Sequence, residues 1–251
     1  MCTLILLDRV VPELPVVVAA NRDEFFARPA APPARFVPGD GKLAFVAPQD
    51  LEAGGTWMGL NASGVFVGLT NRPVATRDRT ARSRGLLVVD ALGQPSAGSA
   101  IEELERACAE RTSPFNLLAA DGRETWLARR DGDRLETRPL RPGIHVVCNR
   151  DADDPSSRKV RRIEQMLRSL DPEAGLEGLV SGLARVLGAH PDPSNSLENP
   201  CVHTPEYGTR SSTVLAVGPG KRTWRYADGA PCETKYDDFS RLLDDLPQAV
   251  T

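Results

Sequence analysis

Apolar runs of strand length, each cut off by turn residues, recur along this chain and restrict it to a fold rich in antiparallel sheet. Residues 3–7 and 15–20 are β-rich runs joined by a turn near Pro12. Residues 56–60 and 65–70 read as a hairpin that turns through Asn61-Ala62-Ser63-Gly64. The segments 116–120, 124–129, 134–138 and 144–148 form a second strand group, with tight turns at Asp121-Gly122 and Asp131-Gly132. The last pair, 212–217 and 223–227, flanks Gly218-Pro219-Gly220. Helical spacing falls between these groups, over 100–111, 157–170, 176–187 and 238–246. Strand groups with helices in separate blocks predict an α+β chain of two packed antiparallel sheets covered by helices, in one domain over 1–251. The proline-rich stretch 29–38 is expected to be a loop, and the polar, proline-rich 191–205 a loop over the active site.

Charge and cysteine usage narrow the function. A net charge of −3 argues against bulk nucleic-acid binding. The longest apolar runs, 4–7 and 16–20, are far too short to span a bilayer, and no secretory leader is visible, so the expected location is cytoplasmic without integral membrane association. The cysteines Cys2, Cys108, Cys148, Cys201 and Cys232 are widely spaced and form no CxxC pair, so the sequence gives no zinc-ribbon motif and no metal is assigned.

Cys2 differs from the others by position. Methionine aminopeptidases remove an initiator methionine that precedes a small residue. Loss of Met1 would leave one residue bearing a thiol and a free α-amine, with reference pKa values of about 8.5 and about 7.7–8. An amine near neutrality can take the proton of its own nucleophile, which is the logic of an N-terminal nucleophile. Polar residues end several strands. Asn21-Arg22-Asp23-Glu24 follows the second strand, where a carboxylate can hold the α-amine. Asn71 ends the hairpin and Asn149 ends a later strand; both are candidate amide donors for an oxyanion. Arg210 is a candidate for raising the thiolate fraction of Cys2.

Met1-Cys2-Thr3, Asn21-Arg22-Asp23-Glu24, the Gly54-Gly55-Thr56-Trp57 hairpin, Leu69-Thr70-Asn71-Arg72, Ser83-Arg84-Gly85, Phe115-Asn116-Leu117-Leu118 and the segment 207–213 occur in this order. Together they resemble the NRDE family, which takes in the eukaryotic transport and Golgi organisation proteins. The resemblance implies the N-terminal-nucleophile (Ntn) hydrolase superfamily and a four-layer αββα sandwich. More distantly the chain is similar to choloylglycine hydrolases and penicillin V acylases. That similarity implies Cys2 as nucleophile and base, Asp23 orienting the amine, Asn71 in the oxyanion hole, and Asn149 and Arg210 in support. Asn21, Arg22, Trp57, Asn61 and Arg72 are the expected substrate-binding residues. One departure stands out: those acylases carry an arginine immediately before N-x-D, and this chain has Ala20 there. Arg22 is read as pointing to the opposite face.

Two functions follow. The first is an N-terminal cysteine amidohydrolase or acyltransferase that works through a Cys2 thioester on a small amide or acyl substrate, with no cofactor. The second is a non-catalytic carrier of acyl-CoA, lipid or haem on the same fold. For the carrier, Arg77, Arg79, Arg82 and Arg84 are either a phosphate-binding stretch or a solvated loop. A Cys201/His203 pair is the candidate haem ligand set. Arg158, Lys159, Arg161 and Arg162 read as the solvated face of a helix.

Overall fold

The computed structural model describes residues 2–39, 41–74, 80–171 and 174–246. These form two antiparallel sheets. The first sheet contains β1 (Thr3–Val11), β2 (Leu14–Phe25), β10 (Gly143–Val147), β11 (Tyr207–Gly218), β12 (Lys221–Ala227) and β13 (Asp237–Asp238). They lie in the order β10-β1-β2-β11-β12-β13. The second sheet runs in chain order through β3 (Ala30–Phe36), β4 (Phe45–Asp50), β5 (Met58–Asn61), β6 (Phe66–Asn71), β7 (Phe115–Ala120), β8 (Thr125–Asp131) and β9 (Arg134–Pro139).

The apolar runs of β1 and β2 are continuous rather than alternating because both faces of their sheet are covered. Leu4, Leu6, Val16, Val18 and Ala20 face the second sheet and meet Val46, Met58, Leu60, Phe66 and Leu118. Ile5, Leu7, Val17 and Ala19 face the other way, onto α3 (Arg158–Leu167) and α4 (Gly175–Leu187) through Val160, Ile163, Leu183 and Leu187. On the outside of the second sheet, Val67, Leu69, Leu117 and Ala119 pack on α1 (Arg84–Leu92) and α2 (Ala97–Ala107) through Leu87, Val88 and Leu104. Each strand face is thus assigned to one of three apolar layers by residue parity. The result is the four-layer αββα sandwich.

Three expectations are corrected. Residues 30–36 form an edge strand rather than a loop; Pro32 and Pro33 sit where the β3–β4 register shifts, and an edge strand tolerates their missing N–H groups. The 144–148 segment joins the first sheet: β10 pairs with β1, Leu4 opposite Val147, rather than with β9. Lys159 is not on a solvated helix face but is 3% exposed, turned in toward β2. The strand β4 and the helix α1 are further elements beyond those expected.

Candidate active site

Cys2 immediately precedes β1 and lines a cavity of about 1040 Å³. Thr3 is opposite Asn21, so one further step along the ladder brings Cys2 opposite Arg22. By parity Cys2 shares the inter-sheet face with Leu4, and Arg22 shares it with Ala20. The expectation that Arg22 points away from the cysteine is therefore corrected: residues two apart on a strand share a face. Arg22 is buried and lines the same cavity. Its guanidinium lies 4.4 Å from the centroid of the Trp57 ring and 3.4 Å from Asp50, while its Nη1 has no hydrogen-bond partner among the described residues. Asp50 also accepts from Arg28 at 2.8 Å. Burial disfavours an ionised Asp50, but the hydrogen bonds from Arg28 and the Ala53 N–H outweigh it and hold the carboxyl below its usual range.

Asp23 faces the opposite side of β2 and is fully buried. Its carboxylate accepts from the Thr209 hydroxyl at 2.7 Å and lies 3.8 Å from Lys159 Nζ of α3. The Tyr207 hydroxyl donates to its main-chain carbonyl at 3.0 Å. Burial pushes the Asp23 carboxyl up, against the pull of the Lys159 ammonium. Asp23 thus sits one residue beyond the register position of Cys2, on the helix-covered face of the sheet. Lys159 and Thr209 are parts of this arrangement that the sequence reading missed. A lysine at an apolar-side position of an amphipathic helix was the available signal.

Asn71 and Asn149 both line the cavity, and the Asn149 side-chain amide donates to the Asn71 carbonyl at 2.7 Å. Two residues of the second sheet hold this contact in place. The Thr70 hydroxyl donates to the Cys148 carbonyl at 2.6 Å. The Asn116 amide donates to the carbonyls of Cys148 and Arg150 at 3.2 and 2.7 Å. The threonine of Leu69-Thr70-Asn71 and the asparagine of Phe115-Asn116-Leu117 therefore staple the end of β10 across the sandwich.

Glycines bring α1 to the rim. A Cβ on Gly55 would lie 2.4 Å from the Gly85 carbonyl carbon, so the two backbones can touch only without side chains, and the Thr56 N–H donates to the Gly85 carbonyl at 3.2 Å. Arg82 and Arg84 reach the cavity wall by this contact. Arg82 is paired with Asp90 at 2.6 Å, and Arg84 donates to the Pro114 carbonyl at 2.9 Å. Arg77 and Arg79 lie outside the described residues, as does Met1. Arg72 lines the cavity with its guanidinium committed to Asp151 at 2.9 Å and Asp131 at 3.4 Å. From the 191–205 segment, Leu197 also lines it.

Three further expected site residues, like Asp23, do not line the cavity. Asn21 faces the helix layer, where its amide donates to the carbonyls of Leu187 and Pro200 and its oxygen accepts from Ser212. Asn61 is fully buried in the hairpin turn, donating to the carbonyls of Leu92 and Gln94 and accepting from the N–H groups of Ser63 and Val65. Every polar atom of Asn61 is used in shaping the turn, which leaves none for a substrate. Arg210 sits at the β11 bulge between Thr209 and Ser211 and is not among the residues lining the Cys2 cavity; its Nε is buried without a hydrogen-bond partner among the described residues.

A cysteine at the head of an inner strand, opening into the cleft between two antiparallel sheets each backed by helices, defines the Ntn-hydrolase fold class. Solved structures of that class superpose on this chain: a Caenorhabditis elegans ortholog of N-acylethanolamine-hydrolyzing acid amidase (TM-score 0.57, 15% identity, covering 85% of this chain and 92% of that one) and a variant of conjugated bile acid hydrolase from Clostridium perfringens (TM-score 0.60, 12% identity, covering 98% and 95%). Within that class the chain belongs to the transport and Golgi organisation 2 family, whose sequence profile matches residues 1–226. Similar proteins are the transport and Golgi organization protein 2 homologs of Bos taurus, 30% identical, and Homo sapiens, 28% identical, each match covering 80% of this chain and 82% of the relative.

Proposed function

We propose that the mature chain, with Met1 removed, is an N-terminal cysteine amidohydrolase or acyltransferase acting on a small amide or acyl substrate. The observation that carries this reading is the convergence of Cys2, Arg22, Asn71 and Asn149 on one large cavity. The free α-amine of Cys2 takes the thiol proton, and the thiolate sulfur attacks the substrate carbonyl carbon. Asp23, backed by Lys159 and Thr209, holds the resulting ammonium from the far face of β2. The oxyanion accepts from the Asn71 side-chain amide, and the unpartnered Nη1 of Arg22 is a second donor toward the substrate. Collapse breaks the carbon–nitrogen bond as the ammonium returns its proton to the departing amine. Water, or an acceptor nucleophile in the acyltransferase case, then loses a proton to the same amine and releases the acyl group from sulfur.

Intact mass should show loss of Met1, and an activated acyl ester should add one acyl group to Cys2 of the wild type and none to Cys2→Ala. A mature protein that retains Met1 lacks the base and sinks the proposal. A second reading, a carrier for an acyl or lipid-like ligand, draws on the size of the cavity and on the arginines in its wall. In that case Cys2→Ala keeps full ligand affinity and the wild type shows no turnover.

A further inference from the structure

Four metal-ligating side chains gather on a part of the molecule that the Cys2 chemistry does not use. His190 follows α4, Cys201 and His203 lie in the segment before β11, and Cys232 follows β12. One donor atom from each lies within 4.8 Å of all the others. None of the four lines the Cys2 cavity. The sequence shows no spacing motif for this set, because three separate segments supply it.

The distances discriminate among the uses of such a cluster. Cys201 Sγ is 3.6 Å from Cys232 Sγ and 3.5 Å from His203 Nε2, and His203 Nε2 is 3.2 Å from Cys232 Sγ. A disulfide needs sulfurs about 2.05 Å apart, so the pair is not bonded. Around a tetrahedral zinc ion, bonds of about 2.3 Å to sulfur and about 2.05 Å to nitrogen set sulfur–sulfur edges near 3.8 Å and sulfur–nitrogen edges near 3.6 Å. The three observed separations match the edges of one face of such a tetrahedron, somewhat contracted. They do not suit a haem iron bound by Cys201 and His203, whose axial ligands stand on opposite faces of the porphyrin. His190 completes the set: its ring packs 5.1 Å from that of His203, and its donor nitrogen lies within 4.8 Å of the other three ligand atoms.

We propose that His190, Cys201, His203 and Cys232 form a tetrahedral site for a divalent zinc ion, separate from the cysteine-centred cavity. Two thiolates and two neutral imidazoles neutralise the dication, and binding releases two thiol protons to solvent. Soft sulfur with imidazole selects zinc over calcium or magnesium, which take oxygen donors. The four-ligand set leaves no open position, so the role is structural. The ion would clamp the turn after β12 to the 190–203 segment. That segment is itself tied to the ladder: Asn21 donates to the Pro200 carbonyl, and the Val202 N–H donates to Thr209, the residue that bonds Asp23.

The test uses the full chain, reduced and stripped of metal with a chelator, then titrated with Co2+ and afterwards Zn2+. One equivalent of Co2+ should give the strong d–d bands of tetrahedral cobalt and a thiolate-to-cobalt charge-transfer band, and one equivalent of Zn2+ should bleach both. Cys2→Ala should keep these spectra. The Cys201→Ser/Cys232→Ser double variant should lose the charge-transfer band. His203→Asn, a change at an exposed position that spares the core, should weaken Zn2+ binding by more than about 100-fold, beyond the loss expected for an outer-shell partner. A wild type that gives only the weak spectrum of octahedral cobalt overturns the proposal. So does a charge-transfer band that survives in the double variant, or a Cys201–Cys232 disulfide that forms in glutathione buffer despite saturating Zn2+.

Discussion

The Asn149 side-chain amide, at the end of the first sheet, is spent on the Asn71 main-chain carbonyl, at the end of the second, 2.7 Å away. Asn149 thereby fixes where the Asn71 side chain starts. In the proposed mechanism Asn71 meets the oxyanion, and Asn149 positions it. Asn71→Ala should slow acylation of Cys2 by about 10²–10³-fold, the usual cost of an oxyanion donor. Asn149→Ala should cost less, about 10-fold, and the double variant should be no slower than Asn71→Ala, because one residue acts through the other. Stopped-flow measurement of acylation settles this; full additivity would mean that Asn149 touches the substrate independently.

Arg210 was the sequence candidate for electrostatic support at Cys2, whereas Arg22 was read as facing away from it; the ladder reverses the two. Arg22 is across from Cys2 in the cavity wall, whereas Arg210 is at a bulge outside it. A guanidinium in the cavity wall with an N–H that is free among the described residues offers a donor to the oxyanion that forms there. Arg22→Leu should therefore slow acylation of mature Cys2 by an activated acyl ester by about 10-fold, and Arg210→Leu should leave the rate within about 2-fold. The reverse order would reinstate Arg210 and place the Arg22 contact with Trp57 in a purely structural role.

The layer architecture was the most legible part of this chain. Strand groups with helices in separate blocks predict two covered sheets, and the structure divides runs such as Leu4-Ile5-Leu6-Leu7 between two cores. Cys2 was singled out by its place after Met1, and Asn71 and Asn149 by their places at strand ends; all three line one cavity. Asn21 and Asn61 look the same in sequence but are consumed by buried main-chain groups, and only the fold reveals which carbonyls face them. Lys159 was misread because a helix face that looks basic from its neighbours Arg158 and Arg161 turns one cation inward. The His190–Cys232 cluster was illegible for a related reason: its members are adjacent in space and far apart in the chain.

The buried pair of Asp23 and Lys159 makes an opposite set of predictions for single and double changes. Both side chains are almost inaccessible, and each leaves the other uncompensated if removed. Lys159→Met should destabilise the protein by about 3–5 kcal/mol, because Asp23 then has to remain buried without its cation. Lys159→Met with Asp23→Leu should recover most of that loss, since an apolar pair of similar volume avoids the desolvation cost. The double variant should nonetheless lack Cys2 acylation, having no carboxylate for the α-amine. Urea denaturation with parallel acylation assays would separate the two effects.

The last prediction concerns pH and the loop that carries Asn149. Asp153 adopts a left-handed φ of 56° directly after this loop, and its carboxylate accepts from the Val146 N–H at 2.7 Å and contacts His145 Nδ1 at 2.8 Å. The His145 ring also meets the Arg141 carbonyl at 2.9 Å, so the protonated imidazolium donates on both sides. The hydrogen bond to Asp153 is the main cause that raises the His145 pKa above its ordinary value, against the effect of burial. A histidine whose folded pKa is raised stabilises fully below the unfolded value of about 6.5, and that stabilisation is lost as pH climbs through the folded value. Asp153 is about one-third exposed, so solvent screening limits the contribution to about 1 kcal/mol. His145→Gln should therefore be less stable than wild type at pH 6, and the gap should close as pH rises past the folded pKa. A melting-temperature difference that is constant between pH 5.5 and 9 would show that the imidazole is held neutral and that Asp153 anchors the loop through Val146 alone.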